Sequence, residues 1–130
     1  MSIFGNPIGI QLMAELWECN KERIDNPKKI EETMLKAAEE SGAKIIGSMF
    51  HEFEPQGISG VVVISESHLT IHTWPEQAYA AIDIFTCGEH TDPWKALEYL
   101  AREFEAEETH SMEISRGMKV IPKKLVKQND

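Results

Sequence analysis

Between residues 43 and 87 the chain repeats short runs rich in Val, Ile, Thr and aromatic residues, separated by turn residues, which is the pattern of antiparallel strands. Val61–Glu66, His68–Trp74 and Tyr79–Cys87 read as three such strands, and Ala43–Phe53 as one before them. The stretch Pro55-Gln-Gly-Ile-Ser-Gly60 between them has two glycines and reads as a loop. Alternation in His68–Trp74 puts Leu69, Ile71 and Thr73 on one side and His68, Thr70, His72 and Trp74 on the other. Tyr79, Ala81, Asp83, Phe85 and Cys87 share a side in the next strand. Gly9–Cys19 mixes apolar and polar residues without a clean period and is expected to be an opening strand.

Helical periodicity replaces this alternation twice. Asn26-Pro27 supplies an N-cap and a first-turn proline, Ile30, Met34, Ala37 and Ala38 fall on one face, and Gly42 stops a helix expected over about residues 27–41. Asp92-Pro93 repeats that start, and Trp94, Leu97, Leu100, Ala101 and Phe104 form the stripe of a second helix, about residues 93–106. Thr109–Ser115 reads as a last strand. Lys119, Lys123, Lys124 and Lys127 follow in a polar tail, about residues 117–130, expected to be mobile. The order predicts one α+β domain over residues 1–130, a two-layer αβ sandwich with helices on one face of a mostly antiparallel sheet. The opposite face carries enough apolar residues to need cover by a second copy, which predicts a homodimer arranged αββα.

Composition narrows the partners. Thirteen Lys and Arg against 22 Asp and Glu leave a net charge of −9, which repels phosphate backbones and anionic membranes, so no nucleic acid or membrane partner is expected. With no apolar run long enough to span a bilayer and no signal-peptide pattern at Met1–Leu12, the expectation is a cytoplasmic protein. Its two cysteines, Cys19 and Cys87, then read as reduced thiols.

Reactive side chains concentrate in Ser65–Glu76. The break at Glu66-Ser67 has neither Gly nor Pro, unusual for a tight connection between strands. In one reading, His68 and His72 are ordinary polar-face residues and Ser67 a turn serine. A second is metal binding, since the histidines have Cys87, His90 or Glu66 for company; yet on a strand residues four apart lie about 13 Å from each other, too far to share one ion easily.

A third reading rests on resemblance. The run ISESHLTIHTWPE (Ile64–Glu76), with PQGISG before it and YAAIDIFTCG (Tyr79–Gly88) after it, closely resembles the prokaryotic S-adenosylmethionine decarboxylase proenzymes, which are pyruvoyl-dependent and self-cleaving. Weaker support comes from Glu15–Cys19 and Arg116-Gly117-Met118. The resemblance implies autocatalytic cleavage at Glu66-Ser67, giving chains 1–66 and 67–130 that must stay in one sheet. Ser67 would attack the preceding carbonyl in an N-to-O acyl shift and become, after elimination and hydrolysis, a covalent pyruvoyl group. It further implies Ser59 as hydrogen-bond donor and His72 as base during processing, and Cys87 as the proton donor of the decarboxylation. The pyruvoyl would form a Schiff base with S-adenosylmethionine and act as an electron sink, yielding decarboxylated S-adenosylmethionine and CO2 for spermidine biosynthesis. No pyridoxal phosphate or metal is expected, and no lysine occurs between Ile45 and Trp94 to hold the former. Glu76 would bind the ribose hydroxyls, Phe53 stack on adenine, and Trp74 add an apolar wall, while His68 is expected to be structural. In the implied dimer, Ser67 and Cys87 meet Phe53, Ser59, His72 and Glu76 of the other copy. Alternatives are a pyruvoyl-dependent arginine decarboxylase of the same architecture and, more distantly, a metal-dependent hydrolase or a non-enzymatic binding module.

Overall fold

The computed structural model describes residues 6–87 and 90–118. Six strands form one sheet: β1 (Gly9–Trp17), β2 (Ile45–Glu52), β3 (Ile58–Ile64), β4 (Ser67–Trp74), β5 (Tyr79–Cys87) and β6 (Glu108–Arg116). Their spatial order is β2-β3-β4-β5-β1-β6 and every neighbouring pair is antiparallel. Helices α1 (Pro27–Glu40) and α2 (Pro93–Glu103) pack on each other and on the sheet. The α+β expectation is met, with an entirely antiparallel sheet.

Both helices begin as their sequences direct. The Asn26 side chain accepts from the Lys29 amide at 3.1 Å and that of Asp92 from the Trp94 amide at 3.0 Å, each ahead of a proline at the first turn. Ile30, Met34, Ala37 and Ala38 of α1 and Ala96, Leu97 and Leu100 of α2 join Leu12, Ala14, Leu16, Val62, Leu69, Ile71, Ile82 and Ile84 in one buried cluster. The alternate strand residues line the opposite, open face. Among them Met13, Met49, Val63, Trp74 and Met112 are exposed, so the sheet keeps an apolar side with no helix over it among the described residues.

Three expectations need correcting. Ile58, Ser59 and Gly60 are strand residues of β3, not loop. Gly60 belongs there because the Phe50 ring of β2 occupies the place of its side chain, 2.0 Å from an added Cβ. Trp94, read as part of the buried stripe of α2, is 38% exposed and donates its indole N–H to Glu113 at 2.7 Å. The irregular Gly9–Cys19 segment alternates after all; its open-face residues are partly apolar, which masks the period. Residues 119–130 of the expected mobile tail lie outside the described residues. No helix among the described residues is long and apolar enough to cross a membrane.

Candidate active site

β3 and β4 are joined by Ser65 and Glu66 alone, since Ile64 and Ser67 are register partners. Glu66 closes this turn with φ 72, the left-handed region where glycine is the usual occupant and other residues are strained by roughly 1–2 kcal/mol. That backbone brings the Ser67 hydroxyl into contact with the carbonyl oxygen of Glu66, the residue before it. The Cys87 thiol, at the end of β5, lies 3.2 Å from Ser67 Oγ and 3.5 Å from the same carbonyl oxygen. Beside them, the His68 ring meets the Phe85 ring edge-on at 5.9 Å.

A second group lies at the far end of β4. Ser59 and His72 are register partners, and Ser59 Oγ is 2.7 Å from His72 Nδ1. Phe53, Gln56, Ser59, His72, Trp74 and Glu76 line a cavity of about 370 Å³, within the range of small-molecule sites. Its floor is tied together by the buried Thr73, whose Oγ1 accepts the Ile58 amide at 3.0 Å, and by the Phe53 amide, which donates to the Gly57 carbonyl at 2.8 Å. Phe53 is 47% exposed and Trp74 40%, so both present ring surface to a ligand.

The residues singled out in the sequence thus fall into two groups, one at each end of β4. Ser67, Glu66 and Cys87 meet at one end; Phe53, Ser59, His72, Trp74 and Glu76 meet at the other. Five steps of about 3.3 Å separate Ser67 from His72 along β4, roughly 16 Å, so within one chain the imidazole cannot reach the serine.

Sequence reasoning passed over the support of Trp74. The rings of Trp17, Tyr79 and Trp74, from β1, β5 and β4, stack in a row with centroid separations of 4.3 and 5.2 Å. The Tyr79 hydroxyl donates to Glu15, and burial, reinforced by that hydrogen bond and by the charges of Glu15 and Asp83, pushes its pKa up to about 12. It therefore stays protonated at neutral pH. Alternation sorted Trp74 and Tyr79 within their own strands, but Gly9–Cys19 shows no clean period in which to place Trp17, and the adjacency of β1 and β5 is non-local. Among the described residues, no three His, Cys, Asp or Glu side chains come together as a metal site.

Residues 10–117 match the family model described as S-adenosylmethionine decarboxylase. The chain is 60% identical over 110 residues to the S-adenosylmethionine decarboxylase proenzyme of Thermotoga petrophila, covering 85% of each. It is 48% identical over 120 residues to that of Caldanaerobacter subterraneus subsp. tengcongensis, covering 92% of this chain and 97% of the relative. The crystal structure of the adenosylmethionine decarboxylase from Aquifex aeolicus superposes with a TM-score of 0.82 at 27% identity, over 95% of this chain and 100% of that one.

Proposed function

The chain belongs to the S-adenosylmethionine decarboxylase family, and from that premise we propose that it cuts itself between Glu66 and Ser67 and uses the resulting group to decarboxylate S-adenosylmethionine. It is a carboxy-lyase made as a proenzyme, with a pyruvoyl cofactor derived from its own chain. The observation that carries the cleavage site is the Ser67 hydroxyl against the Glu66 carbonyl in a strained turn. The residues present fit that chemistry: a serine hydroxyl touching the carbonyl of the residue before it, and a thiol alongside.

In the processing reaction, Ser67 Oγ adds to the Glu66 carbonyl carbon and the C–N bond breaks, leaving Glu66 as an ester on the serine oxygen with a free α-amine. His72 removes the Ser67 α-proton, and the C–O bond breaks to release the Glu66 carboxylate. Water then replaces the nitrogen, which leaves as ammonia. The Ser59 hydroxyl, held on His72 Nδ1, supplies a hydrogen bond to the charge developing on the carbonyl oxygen. The pyruvoyl group, held as residue 67 at the start of β4, would supply the electron sink for loss of CO2. Cys87 returns a proton to the substrate carbon from the position now beside Ser67 Oγ. Phe53 stacks on the adenine, Glu76 accepts from the ribose hydroxyls and Trp74 walls the cavity.

These roles require His72 and Ser67 of two different copies, because roughly 16 Å of strand lies between them in one. A homodimer that closes the open faces against each other brings the two ends of β4 together, and the exposed Met13, Met49, Val63 and Met112 give that face the apolar character such a contact needs.

Denaturing mass spectrometry tests the cleavage: the expected products are 1–66 and a 67–130 chain with a blocked N-terminus, and Ser67→Ala is expected to remain whole. Release of labelled CO2 from carboxyl-labelled S-adenosylmethionine tests the substrate. Release from arginine alone would overturn it.

A further inference from the structure

Gly9 begins β1 opposite Cys87 of β5 and Arg116 of β6. A Cβ at this position would stand 2.7 Å from Phe85 Cε1, 2.7 Å from the Thr86 carbonyl oxygen and 3.0 Å from Cys87 Sγ. All three are closer than an ordinary van der Waals contact, and the Thr86 oxygen is backbone, which cannot swing aside. The space that a side chain would fill is therefore taken by the Phe85 ring and the Cys87 thiol. Phe85 is itself fixed, with the His68 ring edge-on at 5.9 Å and the Arg116 guanidinium 5.5 Å from its centroid. Arg116 is held in turn by the Gln11 side chain at 2.5 Å. The thiol and the Phe85 ring thus share a slot over the bare Cα of Gly9, with the thiol 3.2 Å from Ser67 Oγ.

We propose that Gly9 is a positioning residue of the decarboxylation, keeping open the slot from which the Cys87 thiol reaches the reacting carbon. This rests on Ser67 and Cys87 having the roles given above. The electron pair left by CO2 is shared between the substrate carbon and the α-carbon of residue 67, so the position of the acid decides the outcome. Protonation of the substrate carbon followed by hydrolysis releases the amine product and regenerates the ketone. Protonation of the residue 67 carbon leaves the substrate's nitrogen on the protein as an alanine amine; water supplies the oxygen of an aldehyde released from the substrate. That dead end needs no oxidant or reductant.

The test compares full-length Gly9→Ala, Phe85→Leu and Cys87→Ala with the parent after repeated turnover, scoring the fraction of 67–130 chains opened to stepwise sequencing by an N-terminal alanine. Per turnover, Gly9→Ala is expected to raise that fraction roughly tenfold, the scale of a small misplacement of a reacting group. Phe85→Leu, which widens the slot without touching the backbone, is expected to raise it less, and it keeps the test decisive if Gly9→Ala fails to fold. A second readout needs no turnover: in the uncut Ser67→Ala background, Gly9→Ala is expected to displace the thiol and speed its alkylation by iodoacetamide roughly threefold or more. Cys19 does not interfere, because it is buried and its thiol is pushed up to about 11. If Cys87→Ala forms no extra alanine, the proton-donor reading fails and this inference with it. If Cys87→Ala does so while Gly9→Ala and Phe85→Leu keep the parental fraction and alkylation rate, only the role of Gly9 is overturned.

Discussion

Glu66 is the residue on which backbone conformation and chemistry meet. Its left-handed φ of 72 strains the turn, and its carbonyl is the one the Ser67 hydroxyl touches. Glu66→Gly is expected to relax that strain. In the uncut Ser67→Ala background it should raise unfolding free energy by about 1 kcal/mol in urea titration; with Ser67 intact it should slow the appearance of the 1–66 chain in a mass-spectrometric time course. An unchanged cleavage rate would mean that the strain takes no part in the reaction. At this scale the sequence was informative where chemistry is local. The lack of Gly and Pro at Glu66-Ser67 was visible as an anomaly, and the structure gives its form. Ser59 was misplaced into a loop because flanking glycines ordinarily signal one; here Gly60 makes room for the Phe50 ring of a neighbouring strand, which only the pairing reveals.

Elements differ in how openly their sequences announce them. The helices were legible because capping and periodicity act within a few residues, as Asn26-Pro27 and Asp92-Pro93 illustrate. β1 was obscure because Met13 and Trp17 face the open side while Leu12 and Leu16 face the helices, so apolar residues occupy both registers. Its place between β5 and β6 follows from packing across the whole chain. Two substitutions separate scaffold from site at this scale. Leu100→Ala, in the fully buried face of α2, is expected to cost about 2–5 kcal/mol of stability while leaving the KM for S-adenosylmethionine in place once the protein is folded. Thr73→Val strands the buried Ile58 amide, costing about 1–3 kcal/mol. Because that hydrogen bond ties the floor of the Phe53–Glu76 cavity, it is also expected to raise KM severalfold, as read from initial rates.

For the whole molecule, the separation of the two residue groups along β4 turns the oligomeric state into a chemical question. On the proposed roles, Ser67→Ala lacks the nucleophile and His72→Ala the base, so each alone is expected to stay uncut. Coexpressed, they are expected to cut one chain of each mixed dimer: the His72→Ala chain, whose intact Ser67 meets the imidazole of its partner. Mass spectrometry identifies the cut chain, and the absence of any cleavage in the mixture would refute the shared site. The homodimer was expected from the apolar residues on the open face, and the distance between Ser67 and His72 along β4 is what makes the mixed dimer a test of it.

The proposed cleavage at the β3–β4 turn would also sort the strands by origin. β1, β2 and β3 stay with residues 1–66, while β4, β5 and β6 pass to residues 67–130, yet β1 is inserted between β5 and β6. Three ladders then join one piece to the other, β3 with β4, β1 with β5 and β1 with β6. The uncut chain threads β1 into that position as a unimolecular event, at the high effective concentration that a covalent tether confers. Once the tether is gone, the same insertion is an encounter between two free polypeptides, diluted as any pair of strangers would be. On this reading the Glu66-Ser67 bond would serve as an assembly jig, removed when the sheet is complete, and the two halves, once separated, would rebuild the sheet only through a bimolecular encounter.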